Sequence, residues 1–163
     1  MIANPKTSTE HHARLMPHVD DLATTGDLVG AATGAELGSH LEAASAFLNG
    51  LLVPHMDAAE RAYYPELERL MQNRHSMTPM RREHETIRAL IAEIDRRRVA
   101  LGPGALSSAD AVALRRALFR LHAILKVHLA EEQLYADIAE RGLSADAERE
   151  LAEAMRHEGI GEL

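Results

Sequence analysis

A histidine and a glutamate stand four residues apart in the apolar segment Leu118-Phe119-Arg120-Leu121-His122-Ala123-Ile124-Leu125-Lys126-Val127-His128-Leu129-Ala130-Glu131-Glu132. Residues four apart on an α-helix share one face, so His128 and Glu132 converge on one point. A carboxylate is costly to bury alone, and a metal ion is the usual compensation. The same grammar recurs at His55 and Glu60, ahead of Tyr64-Pro65, and in the histidines His12 and His84. The repetition predicts helix faces that meet around a metal.

Composition supports helices. Aromatic residues make up 3% of the 163 residues, without tryptophan, and the chain leans on Ala, Leu, Arg and Glu, a helix-forming set and a poor strand-forming one. One domain spanning 1–163 is expected, long enough to bury a core. The net charge of −7 argues against nucleic acid as a partner, because a polyanion needs a basic face. No apolar run approaches the roughly 20 residues needed to cross a bilayer, and Met1-Ile2-Ala3-Asn4-Pro5-Lys6 lacks the apolar core of a signal peptide. A cytoplasmic protein without membrane partners is therefore expected. The absence of cysteine excludes thiolate ligands, disulfides and a cysteine nucleophile.

Start and stop signals predict four long helices. Ser8-Thr9-Glu10 opens the first, which runs to about Thr25 with Gly26 as its stop; Pro17 either kinks it or restarts it. Thr33-Gly34-Ala35-Glu36 opens the second, carried by Leu37, Leu41, Ala44, Phe47, Leu48, Leu51 and Leu52. Pro54 and Pro65 are expected to bend or interrupt it. Thr78, as cap, and Pro79 open the third, which ends before Gly102-Pro103-Gly104. Ser107-Ser108-Ala109-Asp110 caps the fourth, which runs to about Arg141. A short fifth, from Ala147 to about His157, follows Ser144-Ala145-Asp146. The simplest assembly is all-α: an antiparallel up-down-up-down four-helix bundle over about residues 8–141, an architecture that builds metal sites from facing helices.

Ligands limited to imidazole and carboxylate suit iron, manganese or zinc. Four segments carry the pattern: His12 to His18, Pro54-His55-Met56-Asp57-Ala58-Ala59-Glu60 running into Tyr63-Tyr64-Pro65, Met80-Arg81-Arg82-Glu83-His84-Glu85, and His128 to Glu132. In this order they resemble the hemerythrin-like family, the HHE cation-binding domains, over about residues 10–140, and within it a bacterial, actinobacterial subgroup. The resemblance implies a four-helix bundle holding two non-heme irons bridged by oxygen and by carboxylates. It implies that His12, His55, His84 and His128 are terminal ligands and Glu132 a bridging one. Where the family has a glutamate four residues after the second histidine, this chain has Ala59; Glu60 is the nearest substitute, although five residues turn a helix about 140° away from His55.

Tyr63, between the directions of His55 and Glu60, is a candidate phenolate ligand, or a hydrogen-bond donor beside the metal, filling the gap at Ala59. The alternative is that it only packs against the next helix. His18 and His122 each lie six residues, about 9 Å, from a ligand position. Together they form a candidate second pair for hydrogen bonding, proton relay or guarding entry, unless one of them is itself a ligand. His11, His40, His75 and His157 read as exposed or structural histidines, and Glu83, Glu85 and Glu131 as solvated helix-face charges.

Members of the family bind O2, sense oxygen or iron, store iron, or react with peroxide and nitric oxide. Surplus histidines and a nearby tyrosine suit turnover of a small oxidant. The leading expectation is a catalase- or peroxidase-like diiron protein that decomposes hydrogen peroxide, with nitric oxide chemistry close by. The alternatives are reversible O2 or NO binding without turnover, an iron-handling helical module with a partial site, and a bundle without metal.

Overall fold

The computed structural model describes residues 6–101 and 106–142, with side chains over 12–101 and 106–137. The expected fifth helix, the Gly102-Pro103-Gly104 break, His157 and the side chain of His11 lie outside the described residues. Those residues form α1 (Lys6–Leu28), α2 (Gly34–Phe47), α3 (Val53–Ala58), α4 (Tyr64–Leu70), α5 (Thr78–Leu101) and α6 (Ser108–Gly142). Two π-helical turns, Leu48–Leu52 and Ala59–Tyr63, join α2 to α3 and α3 to α4, so that 34–70 is one continuous helical stretch. There is no strand among the described residues, and no helix among them is long and apolar enough to cross a membrane.

In α1 the restart at Pro17 is excluded and the expected stop at Gly26 is corrected. Pro17 lies inside one helix rather than at a break. Proline removes the bond to the carbonyl four residues back; Ala13 and Pro17 are both exposed, so water can take up that carbonyl. Nor does Gly26 stop the helix, which continues to Leu28. A Cβ on Gly26 would lie 3.1 Å from the Phe119 ring, so this glycine serves a close approach to α6. The turn is made at Gly30, with φ +85, after the Ala31 and Ala32 N–H groups donate to the Leu28 carbonyl.

Thr33 caps α2 as expected, its hydroxyl accepting from the Glu36 N–H at 3.3 Å. Pro54 and Pro65 do not interrupt the helix. Each follows a π turn and takes one of the first two positions of the next segment. Proline lacks a donor and its ring crowds the carbonyl four residues back. A π turn bonds five residues back and widens the helix there: the Val53 N–H donates to the Leu48 carbonyl and the Tyr64 N–H to the Ala59 carbonyl. At the start of α6 the Ser107 hydroxyl accepts from the Asp110 N–H at 3.1 Å.

α6 packs against α1 and α5, and α2 against the same two. The α1–α6 seam pairs His12 with Glu132, Asp20 with Lys126 and Asp27 with Arg115. Along α5–α6, Glu83 meets His128 and Arg97 meets Asp110. Between 34–70 and α5, Ser45 meets Asp95, Asp57 meets Arg88 and Glu68 meets Arg81. The larger apolar core includes Leu15, Leu22, Leu41, Ile87, Ile94 and Leu121. A smaller one holds Ala59, Tyr63, Tyr64, Leu67, Met77, Met80 and Ala136. On α5 and α6 a metal-type residue falls in sequence between the two: His84 between Met80 and Ile87, and Glu132 between Leu129 and Ala136.

Candidate metal centre

Five buried side chains from four helical segments meet here: His12, His55, His84, His128 and Glu132. α1 supplies His12, α3 His55, α5 His84, and α6 both His128 and Glu132. The Nε2 atoms of His12 and His55 lie 3.1 and 3.0 Å from Glu132 Oε2. On the other side, His84 Nε2 and His128 Nε2 are 3.0 Å apart, and His128 Nε2 is 3.5 Å from Glu132 Oε1. Two three-residue groups result, His12–His55–Glu132 and His84–His128–Glu132, each with its donor atoms within 4.8 Å of one another. Glu132 belongs to both, one oxygen facing each.

The outer edges of two imidazoles are also engaged. His84 Nδ1 meets Glu60 Oε1 at 2.6 Å, and Glu60 in turn accepts from Arg88 at 2.9 Å while Arg88 pairs with Asp57 at 2.6 Å. His128 Nδ1 meets Glu83 Oε2 at 2.8 Å. An ionised carboxylate can only accept, so Nδ1 carries the hydrogen on both rings and each Nε2 turns a lone pair inward. Two lone pairs 3.0 Å apart call for a cation between them, or for a proton. The donor set therefore fits a metal ion.

Charge effects agree with that demand. Burial pushes His84 down to about 4, with the His128 charge adding to the effect. His128 is pushed down by burial but raised more strongly by Glu132 and Glu83, so positive charge is favoured there. Burial pushes the Glu132 carboxyl up, yet His55, His12 and His128 hold it well below the ordinary carboxylate range. Burial also opposes ionisation of Glu60, and Arg88 and His84 outweigh it.

A tyrosine reaches into the cluster, and it is Tyr64. Its hydroxyl donates to Glu132 Oε1 at 2.7 Å and lies 3.1 Å from His84 Nε2. Burial and the Glu132 charge raise its pKa and keep the phenol protonated. The π turn explains the shift from Tyr63. It inserts one residue between Ala59 and α4, so Tyr64 takes the direction that Tyr63 would hold in an unbroken α-helix. Tyr63 is buried beside it, with ring centroids 6.1 Å apart. The same turn carries Glu60 to the outer edge of His84, away from the Nε2 cluster.

Other expected residues are elsewhere. His18 is exposed and stacks on Phe47 with centroids 5.0 Å apart. His122 Nε2 is 3.4 Å from Asp20 Oδ1, and its side chain is partly exposed. They do not form a pair one layer from the cluster: six residues along a helix restore the level but leave a rotation of about 120°. Glu83, expected among solvated charges, instead holds His128. Its position beside His84 in sequence was the available signal. Arg88 had none.

No curated protein and no solved structure is significantly similar to the chain. The family described as the hemerythrin HHE cation binding domain matches residues 6–133, which take in all five clustered residues, and the chain belongs to that family.

Proposed function

We propose that the chain is an antiparallel up-down-up-down bundle that holds two non-heme iron ions and decomposes hydrogen peroxide. The order of the seam pairings supports the topology, since partner numbers fall along α6 as they rise along α1 and α5. In this reading His12 and His55 hold one ion, His84 and His128 the other, and Glu132 is shared. Glu60 and Glu83 orient His84 and His128 rather than binding metal themselves. His18 and His122 take no part, and Tyr63 supports Tyr64.

The observation that carries the peroxide reading is the Tyr64 hydroxyl, set between the shared carboxylate and His84. Bound iron would supply the redox change and an electrophilic site. Disproportionation also needs protons moved between oxygens, and a phenol in hydrogen-bond reach of the reacting position can lend one and take it back. Its other neighbours, Glu132 and four imidazoles, fix where the small molecule can sit. The arrangement has no need of nucleic acid or membrane, and a cytoplasmic setting is consistent with it.

Oxygen evolution from peroxide by the iron-loaded protein tests the reading. Release well above that of free iron is expected, and Tyr64→Phe should slow it by about 100-fold. Release no greater than that of free iron overturns it. Reversible spectral change with O2 or NO, without peroxide consumption, points instead to a binding protein.

A further inference from the structure

The chain has three tyrosines and neither tryptophan nor cysteine. All three tyrosines meet in the smaller apolar cluster: Tyr63 and Tyr64 are buried members, and Tyr135 packs against it. Tyr64 touches the metal-type residues through Glu132 and His84. Tyr135 is partly exposed. The larger core contains no tyrosine. The side chains most easily oxidised by one electron are thus gathered at one end of the candidate centre, with one of them reaching the surface.

We propose that this cluster conducts single electrons between Tyr135 and the centre, and that the protein also oxidises small phenols or aromatic amines at Tyr135. The inference rests on the peroxide reading. The Tyr63 and Tyr64 rings lie 6.1 Å apart and Tyr135 packs against the same cluster, so an oxidising equivalent produced beside Tyr64 meets a phenol first. Hydrogen peroxide takes up two electrons and two protons to give two waters. Each electron leaves Tyr64 for the centre as its hydroxyl proton shifts to Glu132, and is replaced from Tyr135 as that proton returns. The Tyr135 hydroxyl proton passes to water, and water supplies the two protons that peroxide takes up. A donor phenol at the surface then returns one electron and one proton to Tyr135 and departs as a phenoxyl radical. Two donors are consumed for each peroxide.

The path has a second use. Met77 and Met80 are buried in the same cluster, and their oxidation would place a polar sulfoxide in an apolar core. An outlet through Tyr135 drains the equivalent before it reaches them.

The test treats the iron-loaded full chain with peroxide in the presence of a nitroso spin trap, maps the adduct by peptide mass spectrometry, and follows peroxide in the same samples. The adduct is expected on Tyr135. In Tyr135→Phe it should move to Tyr63 or Tyr64, with loss of guaiacol oxidation and retention of donor-free peroxide consumption. Consumption of peroxide with no tyrosine adduct, or guaiacol oxidation unchanged in Tyr135→Phe, overturns the inference and leaves the peroxide reading standing. Absence of peroxide consumption overturns both. Phenylalanine keeps the ring, and circular dichroism of the variant checks its fold.

Discussion

Replacing Glu60 by alanine separates an orienting carboxylate from a metal-binding one. Glu60 meets the outer nitrogen of His84 at 2.6 Å and is itself held by Arg88 at 2.9 Å. His84 is fully buried, so its Nδ1–H loses its partner where water is scarce. An unsatisfied buried donor costs about 1–3 kcal/mol. Loss of an outer partner of a ligating histidine lowers metal affinity about 10–100-fold, or roughly 1.4–2.7 kcal/mol. The loss should fall on one ion alone, because Glu60 touches His84 and not His12 or His55. Chelator competition on the loaded protein should therefore become biphasic, one ion released readily and the other held as before. Glu66→Ala on the same helical stretch is the control, since Glu66 pairs with Arg69 near the surface. Arg88→Ala should reproduce a weaker form of the effect through Glu60. Equal weakening of both ions, or an affinity within about twofold of the parent, would refute the reasoning.

Further outcomes follow from other contacts. Glu132→Gln should reduce metal content at both positions, whereas His12→Ala should reduce it at one; elemental analysis per chain distinguishes them. In the metal-free protein His84 has a pKa lowered from 6.5 to about 4. The unfolded chain therefore takes up that proton first, and stability should rise with pH across this window. Denaturant midpoints at several pH values read the slope, which His84→Gln should flatten; a midpoint that falls as pH rises there would contradict the assignment. Gly26→Ala should fail to deliver the stabilisation of about 1 kcal/mol that helix propensity promises, because its Cβ meets Phe119 at 3.1 Å. In a Phe119→Leu background that gain should return in urea unfolding.

What could be read in the sequence was what regular α-geometry governs. His128 and Glu132 sit on an unbroken helix, so a spacing of four places both on the shared face. Thr33 announces α2 because a cap is a local contact. What escaped depends on departures from that geometry or on other helices. Tyr64 and Glu60 are placed by a π turn, whose only sequence trace is the proline that follows. His18 and His122 shared a level with each other on paper, but rotation put them on the flanks. Gly26 resembles a stop until Phe119, far along the chain, is seen against it. Glu83 and Arg88 became part of the site through partners 45 and 28 residues away.

The turn over Ala59–Tyr63 behaves as a one-residue insertion that the helix absorbs locally. The helix path continues beyond it, but Tyr64, Leu67 and the residues after them each take the direction that the preceding residue would hold in an unbroken α-helix. By that geometry, deleting Ala59 would bring Glu60 to four residues after His55 while leaving Tyr64 in place. A centre with a second inward carboxylate and one with a phenol and an outer carboxylate are then a single codon apart. Descent could pass between the two without rebuilding any of the helices that frame them.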